Sequence, residues 1–286
     1  MALAFNDAFS DLVFTKMLGH RTFLNHLHTL PEIPQAQGAG EVMVTLLDAF
    51  AAAAPVDGTM LANDLGTTQV ALTLTDMEIC ISLAPSQYHS NVVTPANIAK
   101  MTTGAADEFI QDMQNAVIAG LKTGTPGDTN TLTIGQVDFV TDGTAAEAYD
   151  NLMELNGVVA FVMSNNADLL PSQLVMPVAP AAWANLVTIK CTEFATPQYF
   201  EMEGLYKYMG IPMFPIAGAT NFGGAGLECL FCISNRSYAN AYGSPKIHGG
   251  GWLAASDGYY KLILECPYAH GMILDDYQGA ILNPAS

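Results

Sequence analysis

The chain has 286 residues, of which 13% are charged and 50% apolar, with a net charge of −18 and 25 glycines. So few charges cannot give a monomer its usual solvated surface, and no apolar run approaches the ~18–20 residues that cross a bilayer; the longest, Leu46 to Val56, contains Asp48 and is ended by Pro55. The surplus apolar surface is therefore expected to pack against protein, and copies of the same chain are the simplest partner.

The acidity is uneven. Residues 1–150 carry 17 acidic and 4 basic side chains, and residues 151–286 carry 10 and 5. With no cluster of Lys and Arg, tight nucleic-acid binding is excluded. The N-terminus has neither a basic region nor a long apolar one, so no signal or transit peptide is expected. Cys80, Cys191, Cys229, Cys232 and Cys266 are scattered and odd in number, which fits buried free thiols better than a disulfide framework.

In chain order, residues 1–30 read as an amphipathic arm. Phe5, Phe9, Leu12, Val13, Met17 and Leu18 recur at helical spacing and Gly19 is the expected stop. Pro31, Pro34, Gly38 and Gly40 mark an extended linker. Two strands are predicted next, over Glu41–Leu47 and Thr68–Leu83, with an alanine-rich connection from Asp48 to Thr67. Compact domains seldom keep so long a connection without a task for it. It carries Phe50, Ala51 to Ala54, Val56, Met60 and Leu61, and so is expected to dock on a neighbour.

Pro95–Lys122 carries the longest helical signal, after the N-cap Thr94. Ile98, Met101, Phe109, Met113, Val117 and Leu121 follow at helical steps, and the Thr102, Thr103, Gly104 sequence is the expected kink or break. Leu132–Val140 reads as a strand. Thr144 and Glu147 form a capping box opening a helix that Gly157 is expected to end, with Val158–Met163 as a buried strand. Further strands are predicted over Leu174–Val178, Ile211–Ile216 and Leu227–Ser234, with short helices from Pro180 through Trp183 to Leu186 and over Asn235–Tyr242. Tyr259–Cys266 and Gly279–Leu282 read as a closing pair of strands.

No catalytic, cofactor or metal site emerges. Cys229 and Cys232 form a CxxC, but a structural zinc site needs four ligands on tight turns, and residues three apart in a strand point to opposite faces. His20, His26 and His28 have no acidic or cysteine partner at ligand spacing and read as helix-end or surface residues. Gly223, Gly224 and Gly226, and likewise Gly249 to Gly251, lack the following lysine and hydroxyl of a phosphate loop. Asp275 and Asp276 read as a polar turn. The 14 methionines fit adaptable packing.

The order of arm, long hairpin, long helix and mixed region resembles the major capsid proteins of tailed bacteriophages, the Hong Kong phage-type fold also used by encapsulins. Three phrases carry the local resemblance: the strand and Pro-capped helix of Leu174–Val187, the Gly-x-Pro strand of Tyr208–Ile216, and the ending Asp257–Leu282. The resemblance implies an α+β chain with an arm (1–37), an extended hairpin loop (38–83), a peripheral domain holding a spine helix (84–143), an axial domain (144–270) and a C-terminal strand returning to the peripheral domain (271–286). It implies no enzyme and no cofactor, but a virion protein that forms hexamers and pentamers in an icosahedral shell around double-stranded DNA, assembled in the host cytoplasm. The partners it implies are copies of itself, a separate scaffolding protein, a portal, and packaged DNA held by weak non-specific contact; no membrane is implied. An encapsulin-like compartment, or a cytosolic oligomeric α/β enzyme, are the alternative readings.

Overall fold

The computed structural model describes residues 2–20, 22–29, 40–47, 67–86, 95–123, 145–164, 169–180, 183, 200–202, 206–216, 230–248, 252–274 and 278–281. The hairpin tip, the strand expected over Leu132–Val140, Cys191, Cys229, both glycine clusters and Asp275–Asp276 lie outside these residues.

Three long α-helices are described. The first, α1 (Ala2–Gly19), ends at the predicted glycine. Its Phe9, Val13 and Met17, one turn apart each time, are buried. The second, α2 (Pro95–Thr123), is the predicted spine, continuous over 29 residues. The expected break at Thr102–Gly104 does not occur. Thr102 satisfies its hydroxyl within the helix by donating to the Ala99 carbonyl at 3.0 Å. Ala105 and Ala106 are both buried, so the apolar stripe runs on through what looked like a gap. Phe109, Met113, Val117, Ile118 and Leu121 are wholly buried, each contributing about 1.5–3 kcal/mol by the usual transfer scale.

The third helix, α3 (Ala145–Ser164), passes through Gly157 and takes in Val158–Met163, correcting both readings there. A short apolar run is ambiguous in period. Here Leu155, Val158, Val159 and Val162 are buried at helical spacing, and this packing outweighs the cost of about 1 kcal/mol for a glycine in mid-helix.

The strands form two sheets. In the first, β1 (His28–Thr29), β9 (Tyr238–Tyr242), β12 (Tyr260–Met272), β3 (Thr67–Leu83) and β2 (Glu41–Leu47) lie in that order, while β10 (Lys246–Ile247) and β11 (Leu253–Ala254) also pair with β12. The hairpin arms pair antiparallel from Glu41↔Thr73 to Leu47↔Thr67. Beyond that, β3 continues and pairs with β12 from Leu74 to Leu83. In the second, β13 (Gln278–Ile281), β8 (Leu230–Ser234), β4 (Leu174–Val178), β7 (Ile211–Pro215), β6 (Tyr206–Tyr208) and β5 (Phe200–Met202) follow one another, with β4 and β7 parallel.

Two further expectations change. Asn235–Tyr242 is a turn followed by β9, not a helix. Ser234 accepts from the Ser237 hydroxyl at 2.8 Å and its own hydroxyl accepts from the Arg236 N–H at 3.0 Å, a local turn that competes with helix. The final strands do not pair together: β12 is the centre of the first sheet, and β13 pairs with β8 in the second. The ending of the chain thus stitches both sheets together. Trp183 N–H does bond the Ala179 carbonyl at 2.9 Å, as the start of the predicted short helix requires.

One face of the first sheet carries α1 and α2, and α3 packs on β13 and β8. A single core joins residues of both sheets with all three helices. The opposite face of the first sheet holds a smaller cluster of Val44, Leu72, Ala239, Ala241, Ala269 and Ile273. There Gly271 lets Leu72 approach closely: a Cβ at this position would lie 2.7 Å from Leu72 Cδ2.

Candidate assembly surfaces

The residues weighed for chemistry are kept apart by the fold. His20 pairs with Asp107 of α2 at 2.9 Å and so ties the arm to the spine. His26 rests against the Phe214 ring, centroids 5.4 Å apart, and burial lowers its pKa. His28 is exposed on β1. Cys232 is fully buried on β8, and burial pushes its thiol up to about 12. Burial likewise pushes Cys266 up to about 12, and it donates to the Gly243 carbonyl at 3.3 Å. Such thiols are inert at neutral pH. Among the described residues, no three metal-ligating side chains converge, and no helix is long and apolar enough to cross a membrane.

One polar cluster escaped the sequence reading. The Tyr238 hydroxyl lies 2.7 Å from His270 Nδ1, the two rings of Tyr238 and Tyr268 stack on the imidazole, and the Tyr268 hydroxyl donates to the Met113 carbonyl at 3.3 Å. Burial lowers the His270 pKa and raises those of both tyrosines. Gly120 makes room: a Cβ there would sit 2.1 Å from the Tyr238 hydroxyl oxygen. The group locks β9 and β12 to the spine. Its only trace in the sequence is a glycine inside a strong helical pattern, which often marks a close approach.

What remains exposed suits association. Leu18 on the arm and Leu170 before β4 are 58% and 61% exposed, and Leu12, Met43 and Met209 are also half-exposed. Met209 stands at φ 51 in the β6–β7 turn beside Gly210, so its side chain is held outward by the backbone. Over Thr67–Thr73, among the described residues, β3 pairs with β2 alone, and Val44 and Leu72 of this ribbon rest on Ala239, Ala241 and Ala269 of the first sheet.

No protein-family model and no curated protein matches the sequence. Solved structures do match. The capsid of the cyanophage P-SCSP1u superposes with a TM-score of 0.60 at 15% identity, covering 93% of this chain and 89% of that one. The virus-like particle from Pyrococcus furiosus gives 0.58 at 10% identity, covering 97% and 99%. A structure from Mycobacterium phage Che8 gives 0.58 at 11%, covering 92% and 91%. The chain shares the fold of these structures over about nine-tenths of its length.

Proposed function

We propose that this chain is the major capsid protein of a tailed bacteriophage, assembling as hexamers and pentamers into an icosahedral shell around double-stranded DNA. The observation that carries the reading is the match of about nine-tenths of the chain to phage capsid structures, together with large apolar side chains such as Leu18 and Leu170 left exposed. The composition agrees, since apolar side chains far outnumber the charges available to solvate them.

In this reading α2 and the first sheet form the peripheral domain, α3 and the second sheet form the axial domain, and the hairpin tip reaches an adjacent subunit. Strand β12 belongs with the spine although it follows the axial strands in sequence. The subunit does no chemistry. It confines DNA rather than binding it, because nine basic residues face 27 acidic ones. A separate scaffolding protein and a portal complete assembly, which takes place in the host cytoplasm.

A second reading, a protein compartment, is favoured by the Pyrococcus furiosus virus-like particle, which this chain covers almost completely. Particle contents separate the two. Particles isolated from cells expressing the full set of neighbouring genes should hold nuclease-protected duplex DNA. Particles filled with another protein and free of DNA would reverse the assignment to a compartment.

A further inference from the structure

The turn that joins β6 to β7 holds a residue that such turns rarely accept. Only Met209 and Gly210 lie between the paired residues Tyr208 and Ile211, with φ of 51 and 83. Positive φ at both central positions makes this a type I′ turn, whose usual residues are Asn-Gly. Gly210 suits its place. Methionine does not suit the first, because its Cβ crowds the following carbonyl and disfavours this backbone by about tenfold. The flanks impose it all the same: Tyr208 and Ile211 are buried, and the Tyr208 hydroxyl donates to Asn156 Oδ1 on α3. The methionine held in this way is 49% exposed. Strained residues of this kind cluster where a side chain meets a partner.

Other exposed apolar side chains stand at the same end of the second sheet. β4 and β7 run parallel with Met176 beside Met213, so both strands begin where Met209 lies. Leu170, the most exposed of these side chains, comes just before β4, across the short 3-10 turn Pro171–Gln173. β8 is antiparallel to β4 and ends there, with Ser234 opposite Leu174, and the Asn235 N–H donates to the Gln173 carbonyl at 3.3 Å. Ser237 of the following turn accepts from the Leu274 N–H at 3.3 Å, which brings exposed Leu274 to this end too. β8, β4 and β7 are successive neighbours, so at ~4.8 Å between strands the rim spans roughly 10 Å of backbone.

Size and number select the occupant. Three such side chains expose roughly 300 Å² together, well short of the ~800 Å² that each partner of a stable pair buries. The rim alone does not hold an independent protein, but it does serve a neighbour fastened by further contacts. Every copy of the chain also bears the strained turn, so the occupant must be present in equal number, as another copy is. We propose that Met209 is an anchor for a second copy of this chain, its flexible thioether filling an apolar recess on the adjacent subunit with Leu170 and Leu274 around it. This rests on the shell reading above and names one of its contacts.

The test uses the full-length chain with p-benzoylphenylalanine, a photoreactive residue, in place of Met209, and separately the variants Met209→Asn and Met209→Leu. Ultraviolet light on assembled particles carrying the photoreactive residue should give a dimer of the chain, joined from position 209 of one copy to a second copy. Met209→Asn gives the turn a residue it prefers, so the unassembled subunit should unfold about 2–4 °C higher. The same variant should need about tenfold or more protein to assemble, as the loss of one buried apolar side chain implies. Met209→Leu keeps an apolar side chain and should assemble nearly as the unaltered chain does. The proposal is overturned if Met209→Asn assembles as readily as the unaltered chain, if its subunit unfolds no higher, or if the cross-link stays within one chain or reaches a different protein. An unaltered chain that forms only small discrete oligomers would refute the shell reading instead. Met209→Asn then decides the anchor: oligomers that come apart support it, and oligomers that persist overturn it.

Discussion

Two glycines sixteen positions apart in the same helix should respond to alanine in opposite directions. An alanine replacing glycine inside an exposed helix normally gains about 1 kcal/mol. At Gly104 a new Cβ meets nothing within 4 Å, so Gly104→Ala should be stabilising by that amount. At Gly120 the Cβ would lie 2.1 Å from the Tyr238 hydroxyl oxygen and 3.4 Å from His270 Cε1. Tyr238 is 1% exposed, so it has little room to move. Overpacking costs about 1–3 kcal/mol and a displaced buried hydrogen bond about 1 more. After the helical gain is subtracted, Gly120→Ala should destabilise by about 1–3 kcal/mol. Urea unfolding of the unassembled subunit, followed by circular dichroism, reads both signs. Adding Tyr238→Phe to Gly120→Ala removes the clashing oxygen and should recover part of the loss, as a double-mutant cycle would report. A Gly120→Ala protein as stable as Gly104→Ala would refute the packing of the spine on β9 and β12.

The same cluster sets a pH dependence. With the folded pKa of His270 lowered by burial from 6.5, the folded state binds fewer protons than the unfolded one below that value. Stability is then complete above about pH 6.5 and is lost as pH falls through the window beneath it, and unfolding midpoints for His270→Gln across pH 5–7 should show a shallower slope. Phe109→Ala, in the buried stripe of the spine, should cost about 3–5 kcal/mol, readable as a shift in urea midpoint. Cys232 and Cys266, with thiols near 12, should stay unreactive to a thiol reagent in the native protein and react on unfolding, whereas exposed Cys80 reacts at once. Replacing residues 49–63 with an Asn-Gly turn should leave the circular dichroism of the subunit near that of the full chain while abolishing normal shells; normal shells from this variant would remove the tip from assembly.

The elements that were legible in the sequence are those whose signal is long or doubly marked. The spine has a proline start and a stripe of large apolar residues, and the hairpin arms alternate cleanly over Glu41–Leu47 and Thr67–Leu83. The errors came from short stretches where period cannot be counted. Val158–Met163 is β-branched enough to read as strand, yet its valines fall on the buried side of α3 only when Leu155 is counted with them. Asn235–Tyr242 carries Ala239 and Ala241, good helix formers in isolation, but these small side chains are selected by the crowded second face of the first sheet. Strand partners are set by long-range pairing, so nothing local in Tyr260–Met272 announces that it lies beside β3 rather than beside the last strand.

The central claim is a shell in which each subunit lays its hairpin on the next, and an electron-microscopic reconstruction of the assembled protein tests it most directly. It should show closed icosahedral particles, with α2 and the first sheet at the capsomer periphery and residues 48–66 resting on an adjacent subunit. Small discrete oligomers that persist with every co-expressed partner, or a tip folded back on its own subunit, would contradict it.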